Sequence, residues 1–179
     1  MKRVVTKSGI ALTLLAGLPV RILQIPAEQT LQLRQSILWP TTTLSQLVLP
    51  EDNLGKHYGA FLVNRDNPVA VISLFLENIP IDKGVAVQPA ESVQRSVRFR
   101  KFACDSQHQG KGLGTQLLRY SLSMARSQDG ATHAWCDART AALGWYERRG
   151  LVPFGSEFDK GGVKYIRMKI DLQTFEPST

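Results

Sequence analysis

The chain has 179 residues, 43% of them hydrophobic and 21% charged, which is the balance of a folded globular protein about the size of one ordinary domain. A chain of this length buries enough surface to fold without metal or disulfides, and its composition excludes collagen-like, mucin-like and disulfide-scaffold classes. The 22 Lys and Arg against 15 Asp and Glu leave a formal charge of +7, which points to anionic partners without choosing among nucleic acid, membrane surface and a phosphorylated small molecule.

Residues 1–20 read as an N-terminal extension before a folded part spanning 21–175. Lys2, Arg3 and Lys7 precede an apolar run from Ile10 to Leu18 that Pro19 ends, an arrangement resembling the start of a secretory signal. The run is too short to cross a membrane, which takes about 20 apolar residues, and no small-x-small cleavage site follows. Cys104 and Cys136 argue the other way. They stand far apart with no His at a metal-ligand spacing, and such thiols suit a reducing compartment, so a cytoplasmic location is expected.

Arg21–Ile25 then suits a short strand, and Pro26 opens a helical stretch to about Leu38 that Trp39-Pro40 stops. After a turn-rich stretch to Gly55, Tyr58–Val63 and Val69–Leu76 form a hairpin around Asn64–Pro68. Asn78–Glu91, with Pro80, Gly84 and Pro89, is a long connection. Gln94–Cys104 reads as a strand, Gly112–Arg126 as a helix with Leu113, Leu117 and Met124 in helical spacing, and Ala131–Cys136 as a strand. Thr140–Arg149 is a helix with Gly150 at the left-handed stop, and strands Pro153–Phe158 and Val163–Leu172 flank the Asp159–Gly162 turn. The alternation predicts an α/β (or α+β) fold around a central sheet.

Gln109-Gly110-Lys111-Gly112-Leu113-Gly114 lies between a strand and a helix. Glycines there let the backbone approach a ligand, and the free N–H groups and dipole of the helix favour an anion. Lys111 either adds a charge-assisted contact or faces solvent. The spacing fits neither G-x-x-x-x-G-K-[ST] nor G-x-G-x-x-G. A ligand-free turn is the bland alternative.

Gln109-x-x-Gly112-x-Gly114 resembles the pyrophosphate signature of the GNAT superfamily, the acetyl-CoA-dependent N-acetyltransferases. The preceding Phe102-Ala103-Cys104-Asp105 is similar to the apolar run that ends that superfamily's strand. Farther on, Trp145-Tyr146 followed by Gly150-Leu151 resembles its second motif. The resemblance covers roughly Arg21 to Leu172, with its specific part from Val97 to Phe154.

It implies a mixed sheet of about six to seven strands, splayed between the fourth and fifth, with acetyl-CoA in the gap and no metal. Backbone groups at Phe102, Ala103 and Cys104 would pair with the pantetheine arm, and Gln109, Gly110, Lys111, Gly112, Leu113, Gly114 and Thr115 would hold the pyrophosphate. Tyr146 matches the tyrosine that protonates the leaving thiolate, although by position alone it reads as a core residue. Arg139 stands where many relatives have Asn; it could reach a phosphate, pair with a carboxylate or face solvent. Glu77 is the candidate base that takes the amine's proton, with Asp105 and Asp137 behind it. Asp137 also suits a helix N-cap. Arg98 and Arg100 share one strand face, which would bind a carboxylate-bearing acceptor or pair with neighbouring acids.

The implied activity is acetyl transfer by direct attack of an amine on the thioester, the acceptor being a small amine or an amino group of a peptide. A non-catalytic acyl-CoA-binding module is the alternative. The scattered basic residues form no nucleic-acid module, no membrane partner is expected, and a homodimer is compatible with this reading.

Overall fold

The computed structural model describes residues 4–5, 11–15, 18–80 and 95–175, with side chains from Val20 onward. Most of the expected connection Asn78–Glu91 lies outside the described residues. The strands are β1 (Val4–Val5), β2 (Ala11–Leu15), β3 (Leu18–Ile25), β4 (Lys56–Leu62), β5 (Ala70–Leu76), β6 (Ser96–Cys104), β7 (His133–Arg139), β8 (Val152–Lys160) and β9 (Val163–Asp171). The helices are α1 (Leu31–Leu33), extended on both sides by other helical turns from Ala27 to Leu38, then α2 (Leu113–Asp129) and α3 (Leu143–Glu147). The class is α/β with a mixed sheet. The seven strands β3 to β9 match the expected six to seven, and β1 and β2 add to them from residues read as an extension, β2 pairing with β3 from Leu12↔Arg21 to Leu15↔Leu18.

These elements form two compact units, and the chain passes from one to the other along β5, β6 and α2. The first holds residues up to Leu74 together with Lys101–Ser121. Its strands β1 to β5 pair antiparallel in chain order, β4 with β5 from Lys56↔Leu74 to Ala60↔Ala70. Ile25, Leu33, Phe61, Val71 and Ala103 pack as its core. Arg34, on the helical segment after Pro26, is fully buried and donates to both carboxylate oxygens of Asp52, at 2.6 and 2.9 Å, and to Ser73 Oγ at 2.9 Å. His57 completes the network: its Nε2 donates to the Asp52 carbonyl at 2.8 Å and its Nδ1 meets Ser73 Oγ at 2.8 Å.

The second unit holds Phe75–Arg100 and the chain from Leu122 onward. Here β6 and β7 run parallel, which requires a crossover, and α2 supplies it. β7 pairs antiparallel with β9, and β9 with β8. β7 starts and ends later than expected. Its ladder with β9 runs from His133↔Asp171 to Arg139↔Tyr165, holding the backbone extended past Cys136. Asp137 is therefore a strand residue, and the cap position of the following turn falls to Arg139.

Two backbone features shape these elements. Gly150, at φ +85°, stops the helix as expected, and the Leu151 N–H returns to the Tyr146 carbonyl at 3.2 Å. Within β6, Lys101 has a φ of +53°, a left-handed residue in the middle of a strand, and its ammonium lies 3.8 Å from the centre of the Trp39 ring.

Candidate functional site

The β6–β7 ladder covers three residue pairs, Ser96↔His133, Val97↔Ala134 and Arg98↔Trp135. Both strands continue past it, and β7 keeps β9 on its other edge through Arg139. The parallel pair thus opens after Arg98, which is the splay expected between the fourth and fifth of the seven strands. Strand edges without a ladder present backbone donors and acceptors that an extended ligand can join as an added strand.

On one side of β7, Tyr146 from α3 directs its hydroxyl to the Cys136 thiol, one residue past the end of the ladder. The Phe99 ring lies 6.0 Å from the Tyr146 ring, and Trp145 stands edge-on at 5.0 Å. Burial pushes the Tyr146 phenol well above its ordinary value, Cys136 adds to this and Arg149 opposes it. The phenol stays protonated, as a proton donor must. Burial, then the charge of Asp137, raises the Cys136 thiol strongly, while burial and Asp105 push Cys104 up to about 11. Neither sulfur is set up as a thiolate nucleophile.

A second group of side chains joins β6, β7, β8 and β9 in the same unit. Arg98 donates through Nη1 to Glu77 Oε1 at 3.0 Å and through Nη2 to Asp137 Oδ2, with its guanidinium 4.6 Å from the Trp135 ring centre. Lys160 reaches the same Asp137 oxygen at 2.6 Å, and Arg167 Nε lies 3.7 Å from the other one. The Glu77 backbone carbonyl accepts from Ser96 Oγ at 2.9 Å and Trp135 Nε1 at 3.0 Å, so the carboxylate sits on a fixed stem. Of the two arginines read as meeting either an acceptor carboxylate or neighbouring acids, Arg98 pairs with neighbouring acids. Arg100 lies 5.8 Å from the Phe75 ring centre.

The glycine loop belongs to the other unit. Asp105 caps the turn Ser106–His108, accepting from the Gln107 N–H at 3.0 Å, and its carboxylate meets His108 Nδ1 at 3.2 Å. The Gln109 side chain donates to the Cys104 carbonyl at 2.9 Å, tying the loop to the end of β6. Gly110 and Gly112 both have positive φ, +73° and +80°, and Gln109, Gly110, Lys111 and Gly112 are exposed. A Cβ on Gly110 would meet nothing within 4 Å, so the bend is open rather than plugged. Lys111 folds back, donating to the Gln107 carbonyl at 2.9 Å. Leu113 is buried and anchors α2, whose first-turn N–H groups follow the loop; Gly114 and Thr115 are half-buried in that turn. This geometry fits a diphosphate. Phe102, Ala103 and Cys104 end β6 with only Ala103 buried, and Arg139 is exposed at the end of β7.

The sequence reading missed Cys136 as the partner of Tyr146 and missed Lys160 and Arg167 beside Asp137. The β7–β9 register sets Asp137 opposite Arg167, and Lys160 reaches the same carboxylate from β8, which pairs with β9. Among the described residues no cluster of His, Cys, Asp or Glu could hold a metal, and no helix is long and apolar enough to cross a membrane.

Comparisons with known proteins agree with this fold. The chain is 26% identical over 153 residues, 84% of its length and 95% of the relative's, to the uncharacterized N-acetyltransferase YitI of Bacillus subtilis. A crystal structure from Lactobacillus plantarum superposes with a TM-score of 0.66 at 21% identity, covering 86% of this chain and 98% of that one. FeeM, an N-acyl amino acid synthase from uncultured soil microbes, gives 0.65 at 17% identity over 87% and 91% of the two chains. The family profile of the acetyltransferase (GNAT) domain matches residues 81–172, just over half of the chain. With its forked parallel pair and its buried phenol, this chain belongs to the GNAT acetyltransferase family.

Proposed function

We propose that the protein is an acetyl-CoA-dependent N-acetyltransferase, working in the cytoplasm on a small amine or an amino group of a peptide by direct attack on the thioester. The observation that carries the reading is the parallel ladder that stops at Arg98↔Trp135 while a protonated Tyr146 hydroxyl stands beside the next β7 residue. Bound acetyl-CoA supplies an activated acyl carbon and a thiolate leaving group. The loop from Gln109 to Thr115 holds the diphosphate through backbone N–H groups, and β6 from Phe102 to Cys104 offers its edge to the pantetheine arm. Tyr146 gives its proton to the departing sulfur. Glu77, half-exposed and steadied by Arg98, takes the proton of the incoming ammonium group. Cys136 and Cys104 take no covalent part.

The test has two arms. Acetyl-CoA should raise the melting temperature of the parent protein, since a ligand selective for the native state stabilises it. Gly112→Glu, which strains a left-handed position and sets a negative charge at the helix N-terminus, should abolish that rise. A panel of amines should then release coenzyme A. Binding without release from any amine would favour a non-catalytic acyl-CoA module.

A further inference from the structure

We infer that a cleft in the first unit binds a small amine with an apolar body. The cleft has a volume of about 840 Å³, and every residue lining it lies in that unit. Small-molecule sites span about 300–1,000 Å³ and are mostly apolar with a few polar groups. Pro26 and Leu31 line this one from the helical segment, and Val48, Leu49 and Pro50 from the turn-rich stretch that follows it. Val48 is 51% exposed, so apolar surface remains there for a ligand to cover.

The polar groups of the lining set the charge of the ligand. Asp52 is held by Arg34 through both carboxylate oxygens and accepts the Leu49 N–H at 2.9 Å. His57 is buried, its Nε2 donating to the Asp52 carbonyl and its Nδ1 meeting Ser73 Oγ. That leaves Glu28, exposed in the first helical turn and without an ion pair among the described residues. Among those residues no lysine or arginine lines the cleft, a local reversal of sign in a chain of net charge +7. An ammonium group meets a carboxylate here, a carboxylate meets only repulsion, and a neutral ligand gains apolar burial alone. The buried network also sets the lining in advance. Arg34 donates to the Leu47 carbonyl at 3.2 Å, so the stretch carrying Val48 is tied to the core at Leu47, Leu49 and Asp52. A ligand need not order that stretch, which keeps the cost of binding low.

The experiment is a calorimetric titration of the full-length protein with phenethylamine, 2-phenylethanol, 3-phenylpropionate and methylamine. It is run without acetyl-CoA, so its outcome does not turn on the acetyltransferase reading. Phenethylamine should bind about three- to fivefold tighter than the alcohol, the range of one exposed ion pair. It should bind at least about tenfold tighter than the carboxylate and than methylamine, which lacks the apolar body. Glu28→Gln should close the gap between amine and alcohol and leave the affinity for the alcohol unchanged. Val48→Lys should weaken the amine about fivefold or more and strengthen the carboxylate. Both variants should keep the parent's urea midpoint, since both side chains are exposed. No saturable heat from phenethylamine at about 10 mM, equal affinity for amine and alcohol, or an amine affinity untouched by both variants would overturn the site. Adding acetyl-CoA afterwards separates the two sources of such an amine. Release of coenzyme A marks it as an acceptor, silence marks it as a ligand that the reaction does not consume, and the cleft stands on the titration in both cases.

Discussion

Tyr146 was legible in the sequence as part of a motif, but its surroundings were not. An aromatic pair on an amphipathic helix reads equally as core, and only the fold puts the Cys136 thiol against the phenol. The consequence is testable. Tyr146→Phe keeps the ring contacts and removes the proton, so kcat should fall about 100-fold or more while acetyl-CoA affinity changes by less than about twofold, as read by coenzyme A release and calorimetry. The sign of the pKa shift fixes the pH behaviour. A phenol raised above its ordinary value of about 10 keeps its acid form throughout the neutral and mildly alkaline range. The parent kcat should then show no descending limb assignable to Tyr146 below pH about 10, and a limb there that Tyr146→Phe removes would contradict the assignment.

At the scale of elements, the strand and helix order of the second half could be read from apolar spacing and glycine punctuation, and the fork from the family resemblance. Less was legible about where β7 ends. Asp137-Ala138-Arg139 lacks the apolar density of a strand, and only pairing with β9 holds it extended, since cross-strand partners outweigh local propensity. That register also makes Asp137 an ion-pair centre instead of a helix cap. The stop after α3 was legible because one residue type dominates left-handed positions. Gly150→Ala should cost about 1 kcal/mol in urea unfolding, from backbone strain at φ +85°. An added Cβ meets Ile170 Cδ1 only at an ordinary 3.5 Å, so a much larger loss would mean that packing was disturbed as well.

At the scale of the whole molecule, what the sequence hid best was charge placed in a core. Arg34 is fully buried against an acid 18 positions away, a pairing that no spacing in the sequence announces. Burial by itself raises the Asp52 carboxyl, but the Arg34 and Leu49 hydrogen bonds and the Arg34 charge together hold it below its ordinary value. Its contribution to stability is therefore complete above pH about 4 and is lost as pH falls through the lower folded value. Urea midpoints should drop on acidification, and Asp52→Asn should flatten that drop. Arg34→Met, which leaves Asp52 uncompensated, should destabilise by about 3–5 kcal/mol, with partial recovery when Asp52 is made Leu as well. Lys101 carries a different lesson. A backbone held at φ +53° inside β6 favours residues that accept a left-handed conformation, so Lys101→Gly should be the best tolerated change there and a β-branched residue the worst.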